Sequence, residues 1–378
     1  MWESISLALL ILFSEPLYAS SPSPIEIVES VPLETTLAVP GIRDTQTVWL
    51  EMINSAKTSL DFEEFYVSDQ AGESLSPVLQ AIQQAASRGV QIRFLADSKF
   101  YSTYPDSLNQ MSQVPNIQVQ TIDFSSLGGV QHSKYFVVDG RESFVGSQNF
   151  DWRSLSHIHE VGLRVSDPTI AANLELIFNH DWGNGTAVTP QSFSFHFLGE
   201  VPSQVLQVVA SPESQNPSGI PDTGSALVDM INSAQQSVQV QVMEYTTKVY
   251  HGGSWHLLDD ALRNAANRGV HVQLLVDSSD IKKGQADLKA LARLSGFEVR
   301  YATIPQWSGG PIPFARLIHS KYMVVDGTSG WVGSENWSEG YFMNTRDVGL
   351  MVHTADVAGQ LGQIFNQVWQ SGYTTSVH

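Results

Sequence analysis

Apolar segments of two kinds alternate along the chain and predict its secondary structure. Short, nearly continuous apolar runs predict strands at residues 60–66, 91–96, 238–245 and 271–276. Apolar residues at helical spacing predict helices at 76–88 and 257–268, and a glycine (Gly89 or Gly269) follows each and favours helix termination. Strands and helices that alternate in this way predict an α/β layer structure.

The two halves of the chain repeat one pattern. The segment Ala-Ala-Ser-Arg-Gly-Val at 85–90 recurs as Ala-Ala-Asn-Arg-Gly-Val at 265–270, and shorter matches lie on either side of it. A stretch with several prolines and a Ser/Asn/Gly cluster, at about residues 186–224, separates the copies. The sequence therefore predicts a tandem duplication. We expect two similar domains at 25–200 and 201–378, packed about a pseudo-twofold axis that brings equivalent loops together.

The first 24 residues form a separate segment. An apolar run at 5–13 and a small residue at a plausible cleavage point, Ala19, are typical of a signal peptide, whereas Glu3 and the lack of Lys or Arg before the run are not. We expect residues 1–24 to be a signal peptide and linker, and the mature chain to be secreted or periplasmic. The alternative is a packed N-terminal helix or strand in a cytoplasmic protein. No run reaches the roughly 20 apolar residues of a membrane-spanning helix.

Composition removes several classes of protein. The 378 residues include 38 Asp and Glu against 20 Lys and Arg, for a net charge of −18. This balance disfavours a protein that coats nucleic acid through bulk charge, although a local basic pocket is compatible with it. The chain has no cysteine, which excludes thiol catalysis, disulfides and cysteine-ligated zinc.

One set of polar residues recurs with identical spacing in both halves. Each copy has a histidine, a lysine two residues later, an aspartate after four intervening residues, and a Gly-Ser-x-Asn turn after six more; these residues are His132, Lys134, Asp139, Ser147 and Asn149, and His319, Lys321, Asp326, Ser334 and Asn336. Residues two apart on a strand share a face, so we expect the histidine and lysine of each copy to point into one pocket.

Two such copies facing each other predict phosphate chemistry. Ammonium, amide and hydroxyl donors suit the oxygens of a phosphate and stabilise charge that builds up on phosphorus. One neutral imidazole can attack while the other protonates the leaving oxygen. Glu160 and Asp347 each stand 28 residues after the histidine of their own copy, within an acid-Val-Gly-Leu stretch. A carboxylate on the far ring nitrogen would fix the tautomer of a histidine, so we include both acids in the catalytic set.

Other interpretations of these residues are weaker. A single His-x-Lys is usually solvated surface, but duplication alone gives no reason for His, Lys and Asn to recur at both sites. Asp139 and Asp326 each precede a glycine and could serve only to shape a turn. His157 and His159 could ligate a metal, but no supporting cluster is present, and we predict an exposed strand or loop there.

The repeated motif resembles the signature of the phospholipase D superfamily, and the resemblance spans nearly the whole chain after the leader. Flanking segments at 151–155, 312–316 and 336–342 resemble the branch of animal endolysosomal 5′ exonucleases and poxvirus envelope phospholipase-like proteins. The resemblance implies a pair of phospholipase-D-type α/β domains and a metal-independent reaction through a phosphohistidine. It also implies that His132 is the nucleophile and His319 the general acid, with phosphate bound by Lys134, Lys321, Asn149 and Asn336, and also by Ser147 and Ser334.

The substrate stays open at this point. A phospholipid headgroup is favoured narrowly, because the net charge disfavours nucleic acid; single-stranded nucleic acid, attacked from its 5′ end, is the alternative. A non-catalytic phosphate-binding protein is disfavoured because both motifs are intact. We expect no metal and no cofactor, and a monomer, since one chain supplies both half-sites.

Overall fold

A computed structural model describes residues 24–188, 205–279 and 281–378, so the predicted leader core and the predicted boundary at residue 200 lie outside the described residues. In chain order the first half contains β1 (Ile25–Ser30), β2 (Arg43–Asp44), α1 (Thr45–Ser55), β3 (Ser59–Glu64), β4 (Val67–Ser68), α2 (Ser76–Ser87), β5 (Gln91–Asp97), α3 (Ser98–Tyr101), α4 (Asp106–Met111), β6 (Ile117–Ile122), β7 (Lys134–Val138), β8 (Glu142–Gly146), β9 (Phe150–Asp151), α5 (Trp152–Ser156), β10 (Glu160–Val165), α6 (Pro168–Asn184) and β11 (Thr186–Ala187).

The second half repeats most of this order. It contains β12 (Leu206–Ser211), α7 (Thr223–Ser233), β13 (Ser237–Gln241), α8 (Leu257–Asn267), β14 (His271–Asp277), α9 (Ile281–Ala292), β15 (Phe297–Ala302), β16 (Tyr322–Val325), β17 (Ser329–Gly333), α10 (Glu339–Met343), β18 (Asp347–Val352), α11 (Ala355–Trp369) and β19 (Thr374–Ser376). Short 3₁₀ turns lie at Ser125–Leu127 and Glu213–Gln215. The strand predicted at 238–245 is shorter than expected and ends at Gln241.

Each half builds one mixed sheet flanked by helices. The first sheet has the order β11-β6-β5-β3-β7-β8-β10-β1-β2, and the second β12-β18-β17-β16-β13-β14-β15-β19. The strands β3, β5 and β6 are parallel, as are β13, β14 and β15, whereas β7, β8 and β10 join antiparallel, as do their counterparts β16, β17 and β18. The predicted fold class, a pair of similar α/β domains, is therefore confirmed, and the sheet in each is mixed.

The same capping device begins equivalent helices. Asp44 accepts a hydrogen bond from the Thr47 amide at the start of α1, and Asp222 accepts one from the Ser225 amide at the start of α7, at 2.9 and 2.8 Å. An aspartate at this position satisfies a backbone donor that has no partner within the helix. These capped helices pack on the outer faces of their own sheets.

Three apolar clusters place the site. One fills the first half and one the second, around Trp49 and Trp331 respectively. The third joins the halves, and contains Ile177 and Phe178 of α6 together with Ile364 and Phe365 of α11. Burial of this shared core stabilises the pairing of the halves, so residues at the facing ends of the two sheets are held in fixed positions.

Candidate active site

The two motif histidines come from opposite halves and are anchored by the half to which they do not belong. The His132 amide donates to the Arg346 carbonyl at 2.7 Å, and the His319 amide donates to the His159 carbonyl at 2.9 Å. Both side chains are buried, with 5% and 8% of their surface exposed. Each histidine lies just before its strand, so the predicted shared strand face is wrong in detail: a loop residue, held across the interface, presents each imidazole.

The histidine–carboxylate pairs cross between the halves. His132 Nδ1 lies 2.8 Å from Asp347 Oδ1, and His319 Nδ1 lies 2.9 and 3.0 Å from the two oxygens of Glu160. Both acids are fully buried. A carboxylate at Nδ1 holds the proton on that nitrogen and leaves Nε2 facing the reacting group. Neither half therefore contains both a motif histidine and the acid that orients it, and the site exists only when the two halves are together.

Ser147 and Ser334, which were predicted to bind phosphate, contact the orienting carboxylates. The Ser147 hydroxyl donates to Glu160 at 2.6 Å, and the Ser334 hydroxyl donates to Asp347 at 2.7 Å. Both serines are buried. The Gly-Ser turn thus brings each serine back onto the acid of its own half, where it holds the carboxylate that orients the histidine of the other half.

The residue after each of these serines differs between the halves in a way that matters for charge. Gly146 pairs with Gly162, and Gly333 with Gly349, on adjacent strands. A Cβ on Gly146 would lie 2.3 Å from Gln148 Oε1, and one on Gly333 would lie 2.6 Å from Glu335 Oε2. The glycines thus make room for one buried side chain behind each carboxylate. That side chain is a neutral amide in the first half and an acid in the second.

The surroundings of the two histidines set different proton affinities. Burial, then the charges of Lys134 and Lys321, lower the pKa of His132 well below its ordinary value. Burial also lowers the pKa of His319, but Glu160 opposes this effect. Burial and the nearby Glu335 raise the pKa of Asp347 well above its usual range. Burial therefore favours the neutral ring at both positions. Glu160 opposes this effect at His319, and Asp347, whose pKa is raised, is the weaker partner for an imidazolium.

Lysine and asparagine side chains complete the site. The ammonium groups of Lys134 and Lys321 donate to the carbonyls of His132 and His319 respectively. Burial lowers the pKa of Lys134 to about 8. Asn149 and Asn336 are buried at the ends of the Gly-Ser turns, and among the described residues Asn149 Oδ1 has no hydrogen-bond partner. Donors of this kind, already fixed in a dry site, bind phosphate oxygens strongly.

The motif aspartates lie away from this chemistry. Asp139 adopts a left-handed conformation with φ 52°, and its carboxylate accepts from the amides of Lys57, Thr58 and Ser59. Asp326 has φ 51° and accepts from the amides of the equivalent residues 235–237. The structure thus places both in the turn-shaping role, because a short polar side chain tolerates this backbone conformation and satisfies a neighbouring loop.

The exposed position predicted for His157 and His159 is wrong. Both are buried where the halves meet, with exposed fractions of 2% and 0%. His159 Nε2 lies 2.9 Å from Glu29 Oε1, so this ring is held by an acid on β1 of the first sheet. Contact between the two halves buries this segment. The pattern of apolar and polar residues along the sequence does not show that contact.

Sequence reasoning missed a further group of supporting residues. The Ser154 hydroxyl donates to Glu160 at 3.0 Å. Glu63 is buried on β3 and accepts from the hydroxyls of Ser133 and Tyr135 at 3.2 and 2.6 Å. The neighbouring Glu64 is also buried, and burial raises its pKa well above the usual range, against the charge of Lys134. Two consecutive acids inside an apolar strand were the available signal.

Comparisons with known proteins agree with this geometry. The family model described as "Cardiolipin synthase, PLD-like domain" matches residues 49–182 and 227–369. Phospholipase D Y of Dictyostelium discoideum is 32% identical, covering 93% of this chain and 92% of its own length. The 5'-3' exonuclease PLD4 of Mus musculus is 33% identical, covering 92% of this chain and 78% of its own length. Phosphatidylserine synthase of Haemophilus influenzae Rd KW20 shares the fold, with a TM-score of 0.65 at 14% identity over 88% of this chain and 85% of its own.

The chain belongs to the PLD-like (phospholipase-D-like) family and is a phosphodiesterase of that family. The family match covers both copies of the motif. Its relatives carry the names of both lipid and nucleic-acid enzymes, so the family defines the kind of bond that is cut and leaves the substrate to be argued. In the described ranges 24–188, 205–279 and 281–378, no helix has the length and apolarity to cross a membrane.

Proposed function

We propose that the chain hydrolyses phosphodiesters through a phosphohistidine formed on His132, without a metal ion. The observation that carries the proposal is the crossed pairing of each histidine with the carboxylate of the other half. Asp347 holds the Nδ1 proton of His132 and leaves the Nε2 lone pair free to attack phosphorus. We assign the role of proton donor to His319, because its ring contacts both oxygens of Glu160, and Glu160 also accepts from two serine hydroxyls.

The reaction has two steps. In the first, the P–Nε2 bond to His132 forms, the bond from phosphorus to the leaving oxygen breaks, and His319 gives its proton to that oxygen. In the second, His319 takes a proton from water, the oxygen of that water attacks phosphorus, and the P–Nε2 bond breaks. The products are a phosphomonoester and an alcohol. Lys134, Lys321, Asn149 and Asn336 bind the phosphate oxygens in both steps; an alcohol in place of water would give transfer instead.

We propose a single-stranded nucleic acid, cut at its 5′ end, as the substrate. The catalytic histidines are more than nine-tenths buried, which suits a chain end better than a continuous strand. The alignment with a 5'-3' exonuclease, which is 33% identical and covers 92% of this chain, supports this choice. The net charge of −18 favours lipid, but a buried pocket with two ammonium groups can be positive on an acidic protein. A phospholipid is the second candidate, and the match to a phospholipase D over nearly its whole length favours it.

One experiment tests mechanism and substrate together. The purified chain is given 5′-hydroxyl single-stranded DNA, phosphatidylcholine and phosphatidylglycerol in EDTA, with His132→Ala and His319→Ala as blanks. We expect release of nucleotides in EDTA, and none from either variant. Headgroup release alone would move the substrate to lipid. Activity that EDTA abolishes, or that survives in either variant, would contradict the mechanism.

We also propose that the chain is exported and acts as a monomer.

A further inference from the structure

A ladder of aromatic rings leads away from His132, and we infer that it is a stacking subsite for a nucleobase next to the scissile phosphate. The ladder consists of Phe65, Phe100, Tyr66 and Tyr104. The inference rests on the proposed function, since a base is present only if the substrate is a nucleic acid. It adds to that function the residues that recognise the substrate and the half of the site on which they lie.

The rings form a connected series that starts at the nucleophile. The centroid of Phe65 lies 4.7 Å from that of His132 and 4.0 Å from that of Phe100. Tyr66 stacks on Phe100 at 5.9 Å and 20°, and on Tyr104 at 4.9 Å and 26°. Phe65 is buried, whereas the other three rings are partly exposed. The series therefore runs from the closed catalytic centre towards the surface.

A polar network holds Tyr66 in place. The Tyr66 hydroxyl donates to Asp151 at 2.8 Å, and Asp151 is in turn paired with Arg153. Arg153 donates to the Pro313 carbonyl of the second half at 3.2 Å. Anchored at its hydroxyl, Tyr66 lies nearly parallel to Phe100 and to Tyr104, at 20° and 26°. Preordered flat faces suit a planar base better than a flexible acyl chain, which has no face to align.

Residues 205–279 and 281–378, the described part of the second half, contain no such ladder. Phe65 and Tyr66 follow β3, and at the equivalent point after β13 the residues are Met243 and Glu244; the amides of Asp97 and Asp277 bond the carbonyls of Phe65 and Met243, which fixes the equivalence. Phe100 and Tyr104 follow β5, whereas residues 278–296, after β14, contain no aromatic residue. Duplication supplied the catalytic groups twice, but the rings occur once. A ligand group that stacks on them must lie on the His132 side.

The test compares strands with and without bases. The wild-type chain is given 5′-hydroxyl oligodeoxynucleotides that carry either normal nucleotides or a tetrahydrofuran abasic residue at the first or the second position. Base–aromatic stacking gives about a 5- to 150-fold preference for the strand with the base. We expect kcat/KM to fall by that factor for at least one abasic position. Equal kcat/KM on all three strands would overturn the subsite while leaving the proposed exonuclease activity intact.

Variants assign the effect to the ladder. Tyr104→Leu should remove most of the preference for the base and change kcat/KM on the abasic strand little. Tyr101→Leu is the matched control: this ring lies on the same segment and is hydrogen-bonded to Asn109 outside the ladder, so the preference should persist. Loss of the preference in Tyr101→Leu but not in Tyr104→Leu would overturn the assignment. A wild-type chain that cuts phospholipid and no oligonucleotide would overturn both this inference and the proposed substrate.

Discussion

Substitution of the two orienting carboxylates distinguishes crossed pairs from pairs within each half. Asp347→Asn replaces the acceptor that lies 2.8 Å from His132 Nδ1 with an amide that can donate to it. The imidazole then carries its proton on Nε2 and loses the lone pair that attacks phosphorus. In a serine protease the same reversal of tautomer costs about 10⁴ in kcat. Because the pair here is also buried, we expect a loss of about 10³- to 10⁴-fold with any leaving group.

Glu160→Gln acts on the other step. It weakens the proton donor His319, and general acid catalysis is worth about 10² to 10⁴ when the leaving group is a poor one. A p-nitrophenolate leaving group needs no proton, so in a single turnover Glu160→Gln should release p-nitrophenolate from a p-nitrophenyl phosphodiester at close to the wild-type rate, but cut a nucleotide strand slowly. The second step, in which His319 takes a proton from water, should be slow on both substrates, so the comparison is made on the first step. Asp347→Asn should slow that first step on both substrates. The reverse pattern in the first step, with Glu160→Gln impaired on both substrates and Asp347→Asn impaired only on the strand, would refute the crossed assignment.

Three further predictions concern residues around the site. Glu335→Gln removes a nearby charge and should lower the pKa of Asp347. Ionised Asp347 stabilises the His132 imidazolium and raises the pKa of that ring, so the acid limb of the pH–rate profile should move to higher pH. An acid limb that stays in place or moves to lower pH would contradict this. Asp139→Asn keeps a residue that tolerates the left-handed turn but loses acceptor capacity, and should cost about 1–3 kcal/mol in urea unfolding with kcat unchanged; a large fall in kcat at full stability would give this acid a chemical role. Arg346→Met leaves Asp181 buried without its partner at 2.7 Å and should cost about 3–5 kcal/mol, seen as a lowered urea midpoint; an unchanged midpoint would show that the pair between the halves contributes nothing.

A reciprocal substitution serves as the control for the Glu335 prediction. Gln148→Glu places an acid in the same glycine-lined space behind Glu160, where the wild-type chain has an amide that bonds Thr45. The change should weaken the effect by which Glu160 raises the pKa of His319, and so lower that pKa. The basic limb of the profile should then move to lower pH while the acid limb stays in place. Movement of the same limb in both variants would show that the two spaces do not act on separate histidines.

Much of the fold followed from local patterns. Strands with apolar faces and helices that end at Gly89 and Gly269 were predictable because period and termination are properties of short segments. The catalytic residues were predictable because duplication kept the chemistry at two sites while the surrounding sequence diverged. Features that depend on contacts between the two halves were not predicted. The crossed pairs, the buried position of His159 and the placement of Ser147 behind Glu160 all require the interface to be known.

The ladder of rings was missed for a different reason. Aromatic residues after β3 and β5 have core packing as their default interpretation, and nothing in the sequence shows that Phe65 and Phe100, 35 residues apart, meet beside His132. A signal was nonetheless present. The first copy has aromatic residues at positions where the second has none, and a difference between duplicated halves marks a function that is needed once.

The most direct test of the central claim is to locate the covalent intermediate. The wild-type chain is mixed with a p-nitrophenyl phosphodiester, quenched in alkali, where phosphohistidine survives, and digested for mass spectrometry. We predict a phosphoryl adduct on the peptide that carries His132, absent in His132→Ala. An adduct on His319 would reverse the roles of the two halves, and rapid turnover with no adduct on either histidine would contradict the two-step mechanism.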